Sequence, residues 1–115
     1  MGGDLKQGDL IHLNWSPQSG SEMAHKHYGV ILSVEQFNKL IPRIVVAPIT
    51  SKKHAEFGSL RVPVQSEREK ISGFICLDHI RCLDPDTRNC TLINDELTVH
   101  CRTRCKEVLQ KIFKI

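Results

Sequence analysis

The sequence predicts a mostly-β domain, a small, strongly curved β-barrel or half-barrel with one amphipathic helix at its C-terminus. Three observations carry that expectation. Short runs rich in Ile, Val and Leu recur through residues 8–93, separated by turn residues. Beyond residue 94, apolar side chains recur instead at spacings of three and four. A chain of 115 residues can also bury one modest core, so residues 1–115 read as a single domain.

The elements follow in order. Residues 8–14 read as a first strand, with Leu10, His12 and Asn14 alternating against Ile11 and Leu13. Ser16-Pro17-Gln18-Ser19-Gly20-Ser21 is turn chemistry and opens a polar loop that runs to about His27. Residues 28–34 form a second strand, apolar almost throughout, which suits a central place in the sheet. Pro42 precedes a third strand over 43–50. Residues 60–64 give a shorter one, and Pro63 within it suits an edge. A polar loop over 65–70 leads to two short β segments, 72–78 and 79–84, closed by the Asp84-Pro85-Asp86 turn; 90–93 add a last one. Asn94 is the expected N-cap of the terminal helix, with Asp95 and Glu96 on its first turn, where the helix dipole favours negative charge. Leu97, Cys101, Cys105, Val108, Leu109 and Ile112 make its apolar stripe, while Arg102, Arg104, Lys106 and Lys111 lie largely off it. Such a helix covers the sheet; a membrane-surface helix would leave the sheet bare.

Composition narrows the function classes. Aromatic residues make up only 5% of the chain, so the core must be built from Ile, Leu, Val and the cysteines. No apolar run approaches the ~20 residues that span a bilayer. The first residues hold no stretch resembling a secretory signal, and a cytoplasmic protein with no membrane association is expected. A net charge of +3 tolerates a polyanionic partner without demanding one. Five cysteines with no CxxC pair argue against both a disulfide framework and a zinc site. Cys101, Cys105 and the nearby His100 admit a metal, but two small apolar core residues are the simpler reading. No cofactor or metal is expected.

Three polar groupings could carry chemistry: the loop Gly20-Ser21-Glu22-Met23-Ala24-His25-Lys26-His27, the strand end Thr50-Ser51-Lys52-Lys53-His54, and Asp78-His79-Ile80-Arg81. Metal-free RNA cleavage makes the 2′-hydroxyl the nucleophile. The enzyme must help deprotonate it, protonate the leaving 5′-oxygen and stabilise a dianionic phosphorane. Histidine, with an ordinary pKa of about 6.5, suits the proton transfers; lysine, arginine and a hydroxyl suit the phosphorane. His25, Lys26, His27, Thr50, Lys52 and Lys53 supply that inventory, which equally fits a solvated charge cluster.

A resemblance separates the two. Gly8-Asp9-Leu10-Ile11, Ser16-Pro17, Gly20-Ser21-Glu22 and Val30-Ile31-Leu32-Ser33 resemble the opening of the MazF/PemK family of toxin endoribonucleases. Val45-Val46-Ala47-Pro48-Ile49-Thr50 is similar to that family's third-strand motif. Leu77-Asp78-His79-Ile80-Arg81-Cys82-Leu83-Asp84 is similar to its late-strand motif, in which Gln more often follows the acidic residue. The likeness covers nearly the whole chain, in the right order.

The resemblance implies a homodimer of SH3-like barrels that grips single-stranded RNA in a groove near the dimer interface. It implies metal-independent cleavage of mRNA at short motifs, inhibition of translation and growth, and a cognate antitoxin that blocks the groove. Of the family's two best-attested catalytic residues, the threonine carries over to Thr50. The arginine does not: members usually show Arg-Pro before the second strand, and His27-Tyr28 stands there. His27 could act as general acid in its place, Lys26 could supply the charge, or the site could be crippled. The implied catalytic set is His27, Thr50 and Lys26, with RNA contacts from Ser21, Glu22, His25, Ser51, Lys52, Lys53, Asp78 and Arg81.

Plainer readings stand beside these. Ser21 serves turn geometry equally well, and Glu22 fits a surface glutamate. Lys52 and Lys53 fit a solvated basic rim, which would still attract phosphate. Asp78 and Arg81 could pair structurally with each other, and Trp15 fits a core anchor better than a base-stacking surface. Two rival functions remain: a weakened relative that binds RNA or antitoxin without cutting, and an inhibitory binding protein like the CcdB-type gyrase poisons. EDTA-resistant RNA cleavage distinguishes the enzyme from both.

Overall fold

The computed structural model describes residues 4–15, 26–51 and 55–114. Its centre is an antiparallel set of three strands, β1 (Asp9–Asn14), β2 (Lys26–Ile31) and β3 (Ile44–Thr50). Four shorter or later strands complete a seven-stranded sheet: β4 (Arg61–Pro63), β5 (Phe74–Cys76), β6 (Arg81–Leu83) and β7 (Thr91–Glu96). The order is β4-β5-β3-β2-β1-β7, with β6 paired to β3. β2 is thus central, and the proline-bearing β4 is an edge, as expected.

Alternation along the central strands sorts their side chains between two cores. Leu10, Val30, Ala47 and Ile49 face one way, where Cys101, Cys105 and Val108 of the terminal helix α2 (Val99–Phe113) cover them. Ile11, Leu13, Ile31, Ile44 and Val46 face the other way and are closed over by Leu5, Trp15, Leu83 and Cys90. Register enforces the division, because Leu10 lies opposite Val30, and Val30 opposite Ala47. Full burial of each such aliphatic side chain contributes about 1.5–3 kcal/mol, so few aromatics are needed. Cys101 and Cys105 are core residues, and the Cys101 thiol donates to the Pro63 carbonyl at 3.5 Å.

The sheet is curved but open, so it is a half-barrel. Its two ends approach at one bridge, Ser66 opposite Leu97, flanked by Glu67 N–H donating to the Glu96 carbonyl and Thr98 N–H to that of Gln65, both at 2.9 Å.

Several expected boundaries are corrected. The second strand starts at Lys26, so Lys26 and His27 belong to it rather than to the loop; it stops at Ile31, and a short helix α1 (Glu35–Leu40) follows. The Ser33 hydroxyl accepts the Val45 N–H at 3.0 Å and donates to Asn38, whose buried amide donates to the Leu5 carbonyl at 2.7 Å. That polar lock turns the chain where the apolar run suggested more strand. The terminal helix starts at Val99 rather than after Asn94, capped by Thr98, whose hydroxyl accepts the Cys101 N–H at 3.1 Å. Asn94, Asp95 and Glu96 belong to β7 instead.

Asp95 explains the difference. It is 4% exposed and accepts from the Ser66 hydroxyl at 2.7 Å and from the N–H groups of Arg68, Glu96 and Lys70 at 2.8, 2.8 and 3.0 Å. Burial pushes its carboxyl up, but these donors outweigh burial and hold it at about 2. The folded chain therefore binds that proton more weakly than the unfolded chain, where the value is near 3.8. The resulting stability, about 2 kcal/mol, is complete above about pH 4 and is lost as pH falls through about 2. Urea denaturation at about pH 5 and about pH 2 is expected to show a larger loss in the parent than in Asp95→Asn, which keeps the acid-sensitive contribution of Asp78. Among the described residues no helix is long and apolar enough to cross a membrane.

Candidate active site

Sheet order decides which polar residues meet. β3 runs between β2 and β5, with Gly29 opposite Pro48 on one side and Thr50 opposite Phe74 on the other. At this end of β3 a cleft of about 900 Å³ opens. His27 and Tyr28 line it from β2, Pro48 to Thr50 from β3 with Ser51 just beyond its end, Arg61 from β4, and Cys76 from β5. His79 enters from a 3-10 turn over Leu77–His79, and Lys70, Ile71 and Ser72 from the preceding loop. Of the residues nominated from the sequence, the cleft gathers His27, Thr50 and Ser51. Lys26 begins β2 opposite Asn14. Ser21, Glu22, His25, Lys52 and Lys53 lie outside the described residues.

His27 is exposed, and its backbone is tied down from below. The Trp15 indole N–H donates to the His27 carbonyl at 3.3 Å. The ring crosses β2 at Gly29, where a Cβ would come within 2.6 Å of it. Trp15 is 7% exposed and is a core anchor rather than a stacking platform. Tyr28, by contrast, is an exposed aromatic at the cleft wall, with its ring 4.9 Å from that of His12.

Thr50 closes β3 against Gly73. Gly73 has φ of 137°, and a Cβ there would stand 2.6 Å from the Thr50 carbonyl oxygen. Gly73→Ala is expected to cost about 1–3 kcal/mol, by strain and by displacing the end of β3, measured by urea denaturation.

Beneath the cleft lies an ion pair. Arg61 Nε donates to Asp78 Oδ1 at 2.9 Å and its Nη2 to Oδ2 at 3.2 Å, with side chains only 5% and 15% exposed. Burial raises the Asp78 carboxyl, but the Arg61 hydrogen bond, its own amide and the Arg61 and His79 charges prevail and lower it. The expected Asp78–Arg81 pairing is corrected. Arg81 instead donates to the Trp15 carbonyl at 2.7 Å, a position shared with Arg88 at 3.0 Å, outside the cleft lining. His79 Nε2 stands 3.4 Å from Asp78 Oδ2.

Cys76 is no nucleophile here. It is buried, and desolvation pushes its thiol up despite the nearby Arg61 charge. Among the described residues no group of His, Cys, Asp and Glu is arranged to hold a metal. A separate hollow of about 560 Å³ beside α2 is walled by Leu32, Leu97, Val99, Leu109 and Phe113 with Arg102 and Lys106 at its rim. Among the described residues it brings no histidine or carboxylate together.

Sequence reasoning did not nominate Arg61 or His79 for the cleft. A lone arginine before Val62-Pro63 was a faint sign of an inward-facing charge. His79 stood within the late-strand motif that carried the family resemblance.

Comparison with known proteins agrees with this architecture. Residues 6–113 match the family model described as PemK-like, MazF-like toxin of type II toxin-antitoxin system. The endoribonuclease toxin ChpB of Escherichia coli (strain K12) is 27% identical over 112 residues, covering 93% of this chain and 96% of that protein. The endoribonuclease MazF of Staphylococcus saprophyticus is 27% identical over 106 residues, covering 90% and 84%. In fold, the crystal structure of MazE-MazF (form II) from Deinococcus radiodurans superposes with a TM-score of 0.83 at 23% identity, over 96% of both chains. An endoribonuclease in complex with its cognate antitoxin from a mycobacterial species gives 0.71 at 14% identity, over 96% and 93%. With the model matching nearly end to end on a half-barrel capped by α2, the chain belongs to the PemK-like, MazF-like toxin family of type II toxin–antitoxin systems.

Proposed function

We propose that this chain is a toxin endoribonuclease that cuts single-stranded RNA at short sequence motifs without a metal, making the 2′-hydroxyl the nucleophile. The observation that carries the reading is the cleft in which His27 meets Thr50 and Ser51 beside the buried Arg61. The names of its relatives, both endoribonucleases, support the same reading over a gyrase poison.

In this reading RNA lies along the cleft with a base against the exposed Tyr28 and the scissile phosphate near Thr50. The Thr50 and Ser51 hydroxyls donate to the phosphorane oxygens as charge builds there. His27 protonates the leaving 5′-oxygen, taking the place of the family's arginine, and Lys26 adds positive charge from the neighbouring position. Ser21, Glu22, His25, Lys52 and Lys53 would contact RNA from beyond the described residues. Asp78 serves from beneath, and Arg81 borders the Trp15 end. The whole chain works as one domain in a homodimer in the cytoplasm, where mRNA is its substrate and a cognate antitoxin its inhibitor. A solved neighbour of the same fold is itself a MazE-MazF structure.

The test is incubation of the purified protein with mixed-sequence single-stranded RNA, with and without EDTA. EDTA-resistant cleavage leaving 5′-hydroxyl ends is expected. Intact RNA with salt-sensitive binding would replace the enzyme with a binding protein, and stalled gyrase complexes without cleavage would replace it with a gyrase inhibitor.

A further inference from the structure

We propose that His79, held against the Asp78 carboxylate, is the general base of this RNA cleavage and acts across the cleft from His27. The inference rests on the endoribonuclease reading and adds the second proton carrier that reading requires. In-line displacement puts the attacking 2′-oxygen and the leaving 5′-oxygen on opposite sides of phosphorus, so one group cannot readily serve both. Among the described residues lining the cleft, histidine is the type that ordinarily exchanges its proton near neutral pH. The sheet sets the two histidines on opposite flanks of Thr50. His27 comes from β2 and His79 from the turn after β5, and both strands pair with β3.

The surroundings of His79 fit a base. Its Nε2 faces Asp78 Oδ2 at 3.4 Å, and Arg61 on β4 fixes that carboxylate through both oxygens. The other titratable groups described in the cleft are Cys76 of β5, Lys70 of the preceding loop, and His27 and Tyr28 of β2. With Nε2 turned to the carboxylate, Nδ1 takes the proton of the 2′-hydroxyl. The freed O2′ forms its bond to phosphorus, the P–O5′ bond breaks, and O5′ takes the proton carried by His27. A 2′,3′-cyclic phosphate and a 5′-hydroxyl result, and both imidazoles are reset by exchange with water. The imidazolium formed on His79 is stabilised by Asp78, which is a positioning residue, as in other base–carboxylate pairs.

The full chain is tested on a fluorescent single-stranded RNA in EDTA. His79→Gln is expected to lower kcat/KM by about 10²–10⁴-fold. RNA affinity and thermal midpoint should hold, because the side chain is exposed. The acidic limb of the pH–rate profile, which reports the base, should disappear, and added imidazole should restore part of the activity of His79→Ala. Asp78→Asn, shown folded by its melt, should lower kcat while leaving KM nearly unchanged, because the imidazole loses the carboxylate that orients it. An active parent whose His79→Gln form cleaves equally fast with an unchanged pH profile overturns the inference and leaves the ribonuclease reading standing. An inactive parent overturns that reading, and the inference with it.

Discussion

Arg61→Ala is expected to lower the unfolding free energy by about 3–5 kcal/mol, the largest stability loss among surface-lining positions of the cleft. The reason is the carboxylate left behind. Asp78 is 15% exposed and engages Arg61 through both oxygens, so truncation strands a largely desolvated charge. Its own amide and the exposed His79 imidazole are then its remaining partners. Since domains of this size are stable by about 5–15 kcal/mol, such a loss should be plain in a urea titration. The net contribution of the pair is a separate quantity. Removing both charges together, as Arg61→Met with Asp78→Leu, is expected to return stability to near the parent value or above it, because neither ion is then desolvated. The two single variants and the double close a double-mutant cycle. A loss below about 1 kcal/mol for Arg61→Ala would mean that solvent screens the pair as it does at a surface.

His27→Ala is the corresponding prediction for activity. On the proposed assignment it removes the general acid, and kcat/KM is expected to fall by about 10²–10⁴-fold in the RNA cleavage assay. Folding should be nearly untouched. The imidazole is exposed, and the contact that anchors this part of β2 runs from the Trp15 indole to the His27 carbonyl, which alanine keeps. The alkaline limb of the pH–rate profile should vanish in His27→Ala and move upward in His27→Arg, since guanidinium stays ionised far above neutrality. Cleavage by His27→Ala at the parent rate would remove His27 from the mechanism while leaving the cleft and its other residues as the site.

How much of this was legible beforehand depends on the range of the signal. The first strand, by its alternation, and the third, by its Ile and Val after Pro42, were found nearly to the residue: 8–14 became Asp9–Asn14, and 43–50 became Ile44–Thr50. The C-terminal stripe placed Cys101, Cys105 and Val108 in the core correctly. Thr50 was found through a motif and lies in the cleft. The failures share a physical cause. Asn94-Asp95-Glu96 has the local chemistry of a helix start, yet Asp95 spends its acceptors on Ser66, Arg68 and Lys70 across the bridge between the sheet ends. Ser33 looks like one polar interruption in an apolar run until Asn38 and Leu5 are set beside it. Asp78 looks like a partner for nearby Arg81, but β4–β5 pairing sets Arg61 opposite Cys76 and brings the other guanidinium to it.

The sequence by itself therefore determined the class of fold, the strand faces, the family and the position of Thr50, because periodicity and motif order are properties of neighbouring residues. Tertiary structure decided the partners: Arg61 for Asp78, the Trp15 carbonyl for Arg81, Trp15 beneath His27, and His79 at the cleft with His27. Those depend on which strands lie side by side, and strand pairing is settled by burial of the whole sheet rather than by any local run of residues.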